Sequence, residues 1–225
     1  MTKVVPAIIP QTRRQLTEEI KKVSGFAELV QIDISDGLFT PIKTWPYNGR
    51  DQDFFEKLKK GEEGWPEWDK VDFEIHLMVR NPEDVVADWI KTGVVALVVH
   101  IESTNHFQKV VGTCRLASVS LGVAIKPSTN IDLITPLITQ VDFIQVMGND
   151  HLGKHGMELD FKAVELIKSL RKLYPERTIA IDIGVNTDTV ETLVSAGANK
   201  LISGSEILDA DNPKEVYKYF KSIGK

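Results

Sequence analysis

Eight short apolar runs, each followed by a stretch of helical periodicity, predict an α/β protein built as a (β/α)8 TIM barrel. Three observations carry this expectation. Several runs, Val94 to His100 above all, are apolar without alternation, as strands covered on both faces are. The strand–helix rhythm continues without linker, repeat or low-complexity tract, so residues 1–225 are expected to form a single barrel domain. An open doubly wound sheet, the alternative, wants fewer strands and a glycine fingerprint after the first one, and that fingerprint is missing.

The elements follow in order. Lys3 to Ile9 reads as a Val/Ile-rich strand and Thr12 to Lys22 as a charged amphipathic helix. Leu29 to Ile34 is the second strand, and Asp53 to Lys60 a short helix. Gly61 to Lys70 is acidic, carries Trp65 and Trp68 and has no period; it reads as a surface loop, an oligomer contact or a pair of Trp stacked on a core edge. Val71 to Leu77 is the third strand, and Pro82 to Thr92 a helix with Pro in its first turn, where a missing N–H costs nothing. Val94 to His100 is the fourth strand, His106 to Ala117 a helix, Val119 to Ile125 the fifth strand and Ile131 to Ile138 a short helix. Val141 to Val146, Thr178 to Asp182 and Lys200 to Ile202 complete the strands; Leu159 to Lys172, Asp188 to Ala196 and Pro213 to Phe220 complete the helices.

Composition narrows the function classes. The chain is 42% hydrophobic and 26% charged with a net charge of -5, which offers no basic stripe for nucleic acid. A lone cysteine, Cys114, excludes an intramolecular disulfide and fits a reducing compartment; its helical setting suggests a buried structural thiol. Residues 1–10 hold one Lys and an apolar run too short for a signal peptide or membrane span, so a cytoplasmic protein without a membrane partner is expected.

Three apolar strands carry a polar oddity near their carboxyl ends, where TIM barrels keep their catalytic groups. Asp33 stands where an outward residue of the strand would be apolar, just before the turn dipeptide Asp36-Gly37; His76 and Asp182 repeat the pattern in strands three and seven. A carboxylate embedded in an apolar strand is costly to desolvate unless paired or used. Two acids with an imidazole suit a divalent metal and proton exchange on a carbon acid. Carboxylates facing each other across a substrate invert a carbon, one taking the proton and the other returning it to the opposite face. The enediolate between these steps needs a cation or strong donors at its oxygens. Gly184 after strand seven, with Gly204 and Ser205 after strand eight, places backbone N–H groups where barrels of this type hold a phosphate.

These motifs resemble the ribulose-phosphate 3-epimerase family along essentially the whole chain. Asp33-Ile34-Ser35-Asp36-Gly37-Leu38-Phe39-Thr40-Pro41 is similar to its D-x-M-D-G-x-F-x-P stretch, and His76-Leu77-Met78-Val79 to its H-L-M-V. His100-Ile101-Glu102, Gly122-Val123-Ala124, Asp182-Ile183-Gly184-Val185-Asn186 and Ser203-Gly204-Ser205 follow in the family's order. The resemblance implies a barrel of the ribulose-phosphate-binding type and an isomerase of the pentose phosphate pathway. It implies a phosphorylated ketose as substrate, ribulose 5-phosphate and xylulose 5-phosphate by preference, with Asp33 and Asp182 as the acid–base pair. It further implies Met78 and Met147 beside the substrate, a divalent Zn, Fe or Mn held by Asp33, His76 and Asp182, and a homo-oligomer.

The chain departs from the family at the site. Gln31 stands at the family's first metal histidine, where an amide oxygen serves a hard cation but is a poor substitute for imidazole at zinc or iron. Ala7 replaces a serine, Pro10 and Gln11 alter the following loop, Ser35 replaces a methionine and Ile183 a phosphate-loop glycine. The loop from Met147 to Gly156 keeps Gly153 and Gly156 and gains Lys154, His151 and His155. Lys126, at the mouth of strand five, either extends to water at the rim or enters the barrel, to stand in for the metal's charge or form an imine. Metal-free isomerase or aldolase chemistry at Lys126, and sugar-phosphate binding without turnover, are the alternatives to epimerisation.

Overall fold

A computed structural model describes residues 2–153 and 157–223. Lys154, His155 and Gly156, expected in a basic loop after strand six, lie outside the described residues. In chain order the elements are β1 (Lys3–Ile8), α1 (Arg13–Val23), β2 (Leu29–Ser35), α2 (Gln52–Lys60), β3 (Asp72–Met78), α3 (Val86–Lys91), β4 (Ala96–His100) and α4 (Phe107–Ala117). There follow β5 (Ser120–Ile125), β6 (Phe143–Met147), α5 (Phe161–Leu173), β7 (Thr178–Asp182), α6 (Val190–Ala196), β8 (Lys200–Ser203), α7 (Ser205–Leu208) and α8 (Pro213–Ser222). Among the described residues eight parallel strands close in sequence order, β8 pairing back onto β1 through Lys3 and Lys200. The TIM barrel predicted from the alternation is the fold observed.

Strand periodicity sorts the side chains into two layers. In β2, Val30, Ile32 and Ile34 join the apolar layer beneath the helices, while Gln31, Asp33 and Ser35 point into the barrel. Gln31 reaches Asp182, three strands away around the wall, which only a lumen-facing side chain can do. Asp33 therefore does not interrupt an outward apolar face, as the strand pattern suggested; it belongs to the inner one. The lumen is otherwise plugged by Val5, Ala7, Val98, Ala124, Phe143, Ala180 and Ile202. Gly122 makes room for this plug, since a Cβ there would meet the Phe143 ring at 2.4 Å. Outside the barrel Trp45, Trp89 and Phe54 are fully buried, and each such side chain contributes about 1.5–3 kcal/mol.

Two connections differ from expectation. Between β5 and β6 the expected helix is two 3-10 turns, Ile131–Leu133 and Thr135–Leu137. Pro136 supplies no N–H and crowds the carbonyl four residues back, so the chain tightens there instead of continuing as an α-helix. After β3, Pro82–Asp84 is likewise a 3-10 turn, and the α-helix proper begins at Val86. The two Trp of the acidic loop part company. Trp65 is buried, stacks on Phe73 at 5.1 Å and donates its indole N–H to Thr92 O at 2.9 Å, whereas Trp68 is 70% exposed. Cys114 is buried as expected, and burial pushes its thiol up to about 11.

Candidate functional site

Asp33 and His76 are register partners on adjacent strands, two residues inside the ends of β2 and β3, and Asp182 is the last residue of β7. The curvature of the barrel brings all three together. One donor atom from each lies within 4.8 Å of the others, and all three side chains are buried. His76 Nδ1 is 3.2 Å from Asp33 Oδ1 and 3.3 Å from Asp182 Oδ2. Burial by itself would push the His76 imidazole down; hydrogen bonds to Asp182 and Asp33, with the charges of both, outweigh it and raise it to about 9.

Two amides complete this cluster. Gln31 Nε2 donates to Asp33 Oδ1 at 2.9 Å and to Asp182 Oδ2 at 3.2 Å. Gln145, in the middle of β6, donates from Nε2 to the same Asp182 Oδ2 at 3.1 Å and stands 3.4 Å from His76 Nδ1. Both side chains are fully buried. Gln145 escaped the sequence reading, although a polar residue inside the apolar run Phe143-Ile144-Gln145-Val146 is the same signal that marked Asp33.

Behind the cluster a short relay fixes the imidazole. His76 Nε2 lies 2.9 Å from His100 Nε2, and His100 Nδ1 lies 3.1 Å from Glu102 Oε2. Glu102 also accepts from the Lys126 N–H at 2.8 Å and from the Thr129 hydroxyl. Burial pushes His100 down to about 4, the neighbouring His76 adding to it, so His100 is neutral at ordinary pH. Burial would raise Glu102, but its bonds to His100, Thr129 and the Lys126 N–H hold it down at about 2. An ionised Glu102 takes the Nδ1–H of neutral His100, whose bare Nε2 then accepts the Nε2–H of His76. That arrangement aims His76 Nδ1 at the carboxylates. His100 and Glu102 were visible as a motif in the sequence, but their contact with His76 needs three dimensions.

Above the cluster opens a cavity of about 210 Å³, bordered by Asp33 and Asp182 and walled by Met78 and Met147. The expected phosphate-binding residues Gly184, Gly204 and Ser205 border the same cavity. Gly184 has φ +71°, and a Cβ there would strike the Leu159 backbone at 2.9 Å, so glycine is required. The neighbouring Ile183 has φ +80°, a conformation costly for a β-branched residue. Glu206 also borders this end, its carboxylate held by the Thr187 N–H at 3.1 Å. Ala7 lines the cavity, while Ser35 Oγ is buried without a hydrogen-bond partner among the described residues. Lys126 takes neither of its expected courses to the cavity. Its ammonium lies over the Phe39 ring at 4.8 Å, and Lys126 borders a separate pocket beyond that ring with Asp150 and His151.

The donor set suits a divalent metal: two carboxylates and an imidazole nitrogen converge, and a net negative charge is left for a cation to balance. Among the described residues no helix is long and apolar enough to cross a membrane.

Comparison with known proteins agrees with this geometry. The chain is 28% identical over 219 residues to the cytoplasmic isoform of ribulose-phosphate 3-epimerase from Oryza sativa subsp. japonica, covering 95% of this chain and 90% of the relative. It is 28% identical over 222 residues to ribulose-phosphate 3-epimerase from Bacillus subtilis (strain 168), covering 96% of each. In three dimensions it is similar to 3-hexulose-6-phosphate synthase from Salmonella typhimurium, with a TM-score of 0.72 at 14% identity over 97% of this chain and 96% of that one, a likeness of fold. The model of the ribulose-phosphate 3 epimerase family matches residues 3–208, and the chain, with its paired aspartates at one barrel mouth, belongs to that family.

Proposed function

We propose that this chain interconverts the C3 epimers of a phosphorylated ketose, ribulose 5-phosphate and xylulose 5-phosphate, with Asp33 and Asp182 as the proton-transfer pair. One observation carries the reading: two carboxylates from strands far apart in sequence border one cavity and are tied to each other through the single amide nitrogen of Gln31. In the forward direction one carboxylate takes the C3 proton and the other, as its acid, delivers a proton to the opposite face of the same carbon. In the cation-free chain Gln31, Gln145 and His76 hold both carboxylates in place, which lowers the cost of orienting them for reaction. Met78 and Met147, packed with Leu152, keep water from the carbanion. The N–H groups at Gly184, Gly204 and Ser205 receive the phosphate.

Asp33, His76 and Asp182 would hold a divalent metal, which when bound supplies positive charge to the oxygens of the enediolate. The family resemblance favours Zn, Fe or Mn, and the oxygen-rich donor set favours the harder of these. The same reading makes the protein cytoplasmic and homo-oligomeric, supported by the reducing compartment that its single cysteine suits and by the family resemblance. A coupled assay of the purified chain on ribulose 5-phosphate, with and without added divalent metals, tests the activity. Turnover that disappears in Asp33→Asn and in Asp182→Asn is expected; no turnover of the parent chain under either condition removes the reading.

A further inference from the structure

We infer that Gln31 and Gln145 are cation ligands, and that together with Asp33, Asp182 and His76 they make a five-donor, oxygen-rich site selecting Mn2+ over Zn2+. The inference rests on the cation-binding part of the proposed function and not on the identity of the sugar. Three observations support it.

The first is convergence. Gln31 comes from β2 and Gln145 from β6, yet both amide ends lie within 3.2 Å of the single atom Asp182 Oδ2, and Gln31 also lies 2.9 Å from Asp33 Oδ1. The second is what the other half of each amide does. Gln31 Oε1 and Gln145 Oε1 are both buried with no hydrogen-bond partner among the described residues. A buried amide oxygen without a partner is destabilising, because it has given up its water and gained nothing in return. Without a cation that cost is unavoidable, because turning the oxygens inward would set them against two carboxylates. A half-turn of each terminal amide exchanges oxygen and nitrogen with almost no change of shape. Once positive charge stands among the carboxylates, the same half-turn brings both unpartnered oxygens into the cluster. The third is the setting of Gln145. Its register neighbours are Ala124 and Ala180, both part of the apolar plug, so nothing else in that layer calls for an amide.

The resulting donors are two carboxylate oxygens, two amide oxygens and one imidazole nitrogen. Oxygen-dominated sets of this kind suit Mn2+ and Mg2+, whereas zinc is served best by four donors rich in imidazole or thiolate. Gln31 thus changes the metal preference instead of merely removing a histidine, and Gln145 supplies a ligand that offsets the loss.

The experiment is equilibrium binding of Mn2+ and Zn2+ to the full chain without sugar, read by metal analysis after dialysis and by the Mn2+ electron paramagnetic resonance signal. The parent chain is expected to bind one Mn2+. Gln145→Leu, close in volume, is expected to weaken Mn2+ by about 10–100-fold. Gln31→His is expected to shift the Mn2+/Zn2+ preference toward zinc by at least about 10-fold, on the same scale. Gln145→Glu, which offers oxygen in either orientation, is expected to tighten Mn2+ and gives an independent test should the Leu variant fail to fold. If the amides only donate hydrogen bonds to the two carboxylates, Gln145→Glu sets a third acid against two others and destabilises the chain without tightening Mn2+; that result overturns the inference. Unchanged Mn2+ affinity in Gln145→Leu, or an unchanged metal preference in Gln31→His, also overturns it. Absence of any cation binding sinks both this inference and the metal part of the proposed function, while leaving the sugar assay to judge the epimerase reading by itself.

Discussion

The two ends of the barrel lumen handle buried charge in opposite ways. At the amino-terminal end Glu74 and Lys200 form an ion pair at 2.6 Å, both buried, with the ammonium 4.0 Å from the centre of the Phe143 ring. One acid meets one base, so the charge is balanced within the chain, although Glu74 Oε1 has no hydrogen-bond partner among the described residues. At the carboxyl-terminal end two carboxylates meet one imidazole and two neutral amides. Burial in both places is similar, so the difference lies in the charge balance. A structural pair is neutral and sealed by an aromatic ring; the mouth keeps an excess of acid beside a cavity, which makes it fit for cations and protons.

The comparison can be broken most sharply at its active end. Asp182→Asn keeps the shape of the cluster but removes one of the two carboxylates proposed to transfer the proton, and turnover of ribulose 5-phosphate should fall by about 10²–10⁴-fold in a steady-state assay with the fold retained by circular dichroism. At the opposite end, Lys200→Met leaves Glu74 buried and unpaired. It should cost about 3–5 kcal/mol in denaturant unfolding, with the turnover of the surviving folded protein unchanged. Loss of turnover from Lys200→Met at full stability would erase the distinction between the two ends.

The titration of the relay sharpens it. His100 is held down near 4 against an ordinary 6.5, and Glu102 near 2 against 4.5. Both are depressed, so the stability they contribute is present above the ordinary values and is lost as pH falls through the folded ones. His76 is raised to about 9, so its contribution is full below 6.5 and is lost as pH rises through 9. The metal-free chain should therefore lose on the order of 2–3 kcal/mol between pH 6.5 and 4, and a comparable amount between pH 6.5 and 9. Glu102→Gln should remove the part of the acid limb between pH 4.5 and 2, measured by thermal melts across pH. The smallest effect belongs to Ile183. Ile183→Gly and Ile183→Ala both delete the side chain, but only glycine relaxes φ +80°. The Gly variant should melt about 2–4 °C above the Ala variant, a difference of about 1 kcal/mol.

Much of this was legible in the sequence because strands announce themselves through apolar runs, and a charged residue inside such a run is expensive enough to be noticed. Asp33, His76 and Asp182 were singled out that way, and Gly184, Gly204 and Ser205 by their place after the last two strands. Gln145 was missed because a neutral amide in a strand raises less alarm than an acid, although the pleat puts it on the same inner face. The partnership of His76 with His100 and Glu102 depends on a 2.9 Å approach across neighbouring strands that no spacing along the chain encodes. The 3-10 turns before β6 were hidden because Pro136 sits in a pattern whose apolar spacing still reads as helical. For Lys126 the sequence left two courses open, out to the rim or into the barrel, and its ammonium lies over the Phe39 ring, a contact that no spacing along the chain encodes.

The most direct test of the two-carboxylate account is epimerisation of ribulose 5-phosphate in deuterium oxide with Mn2+ present, followed by NMR of the product. The account predicts xylulose 5-phosphate carrying solvent deuterium at C3, formed by the parent chain and by neither Asp33→Asn nor Asp182→Asn at a comparable rate. Product without deuterium at C3, or undiminished turnover in either variant, would contradict it.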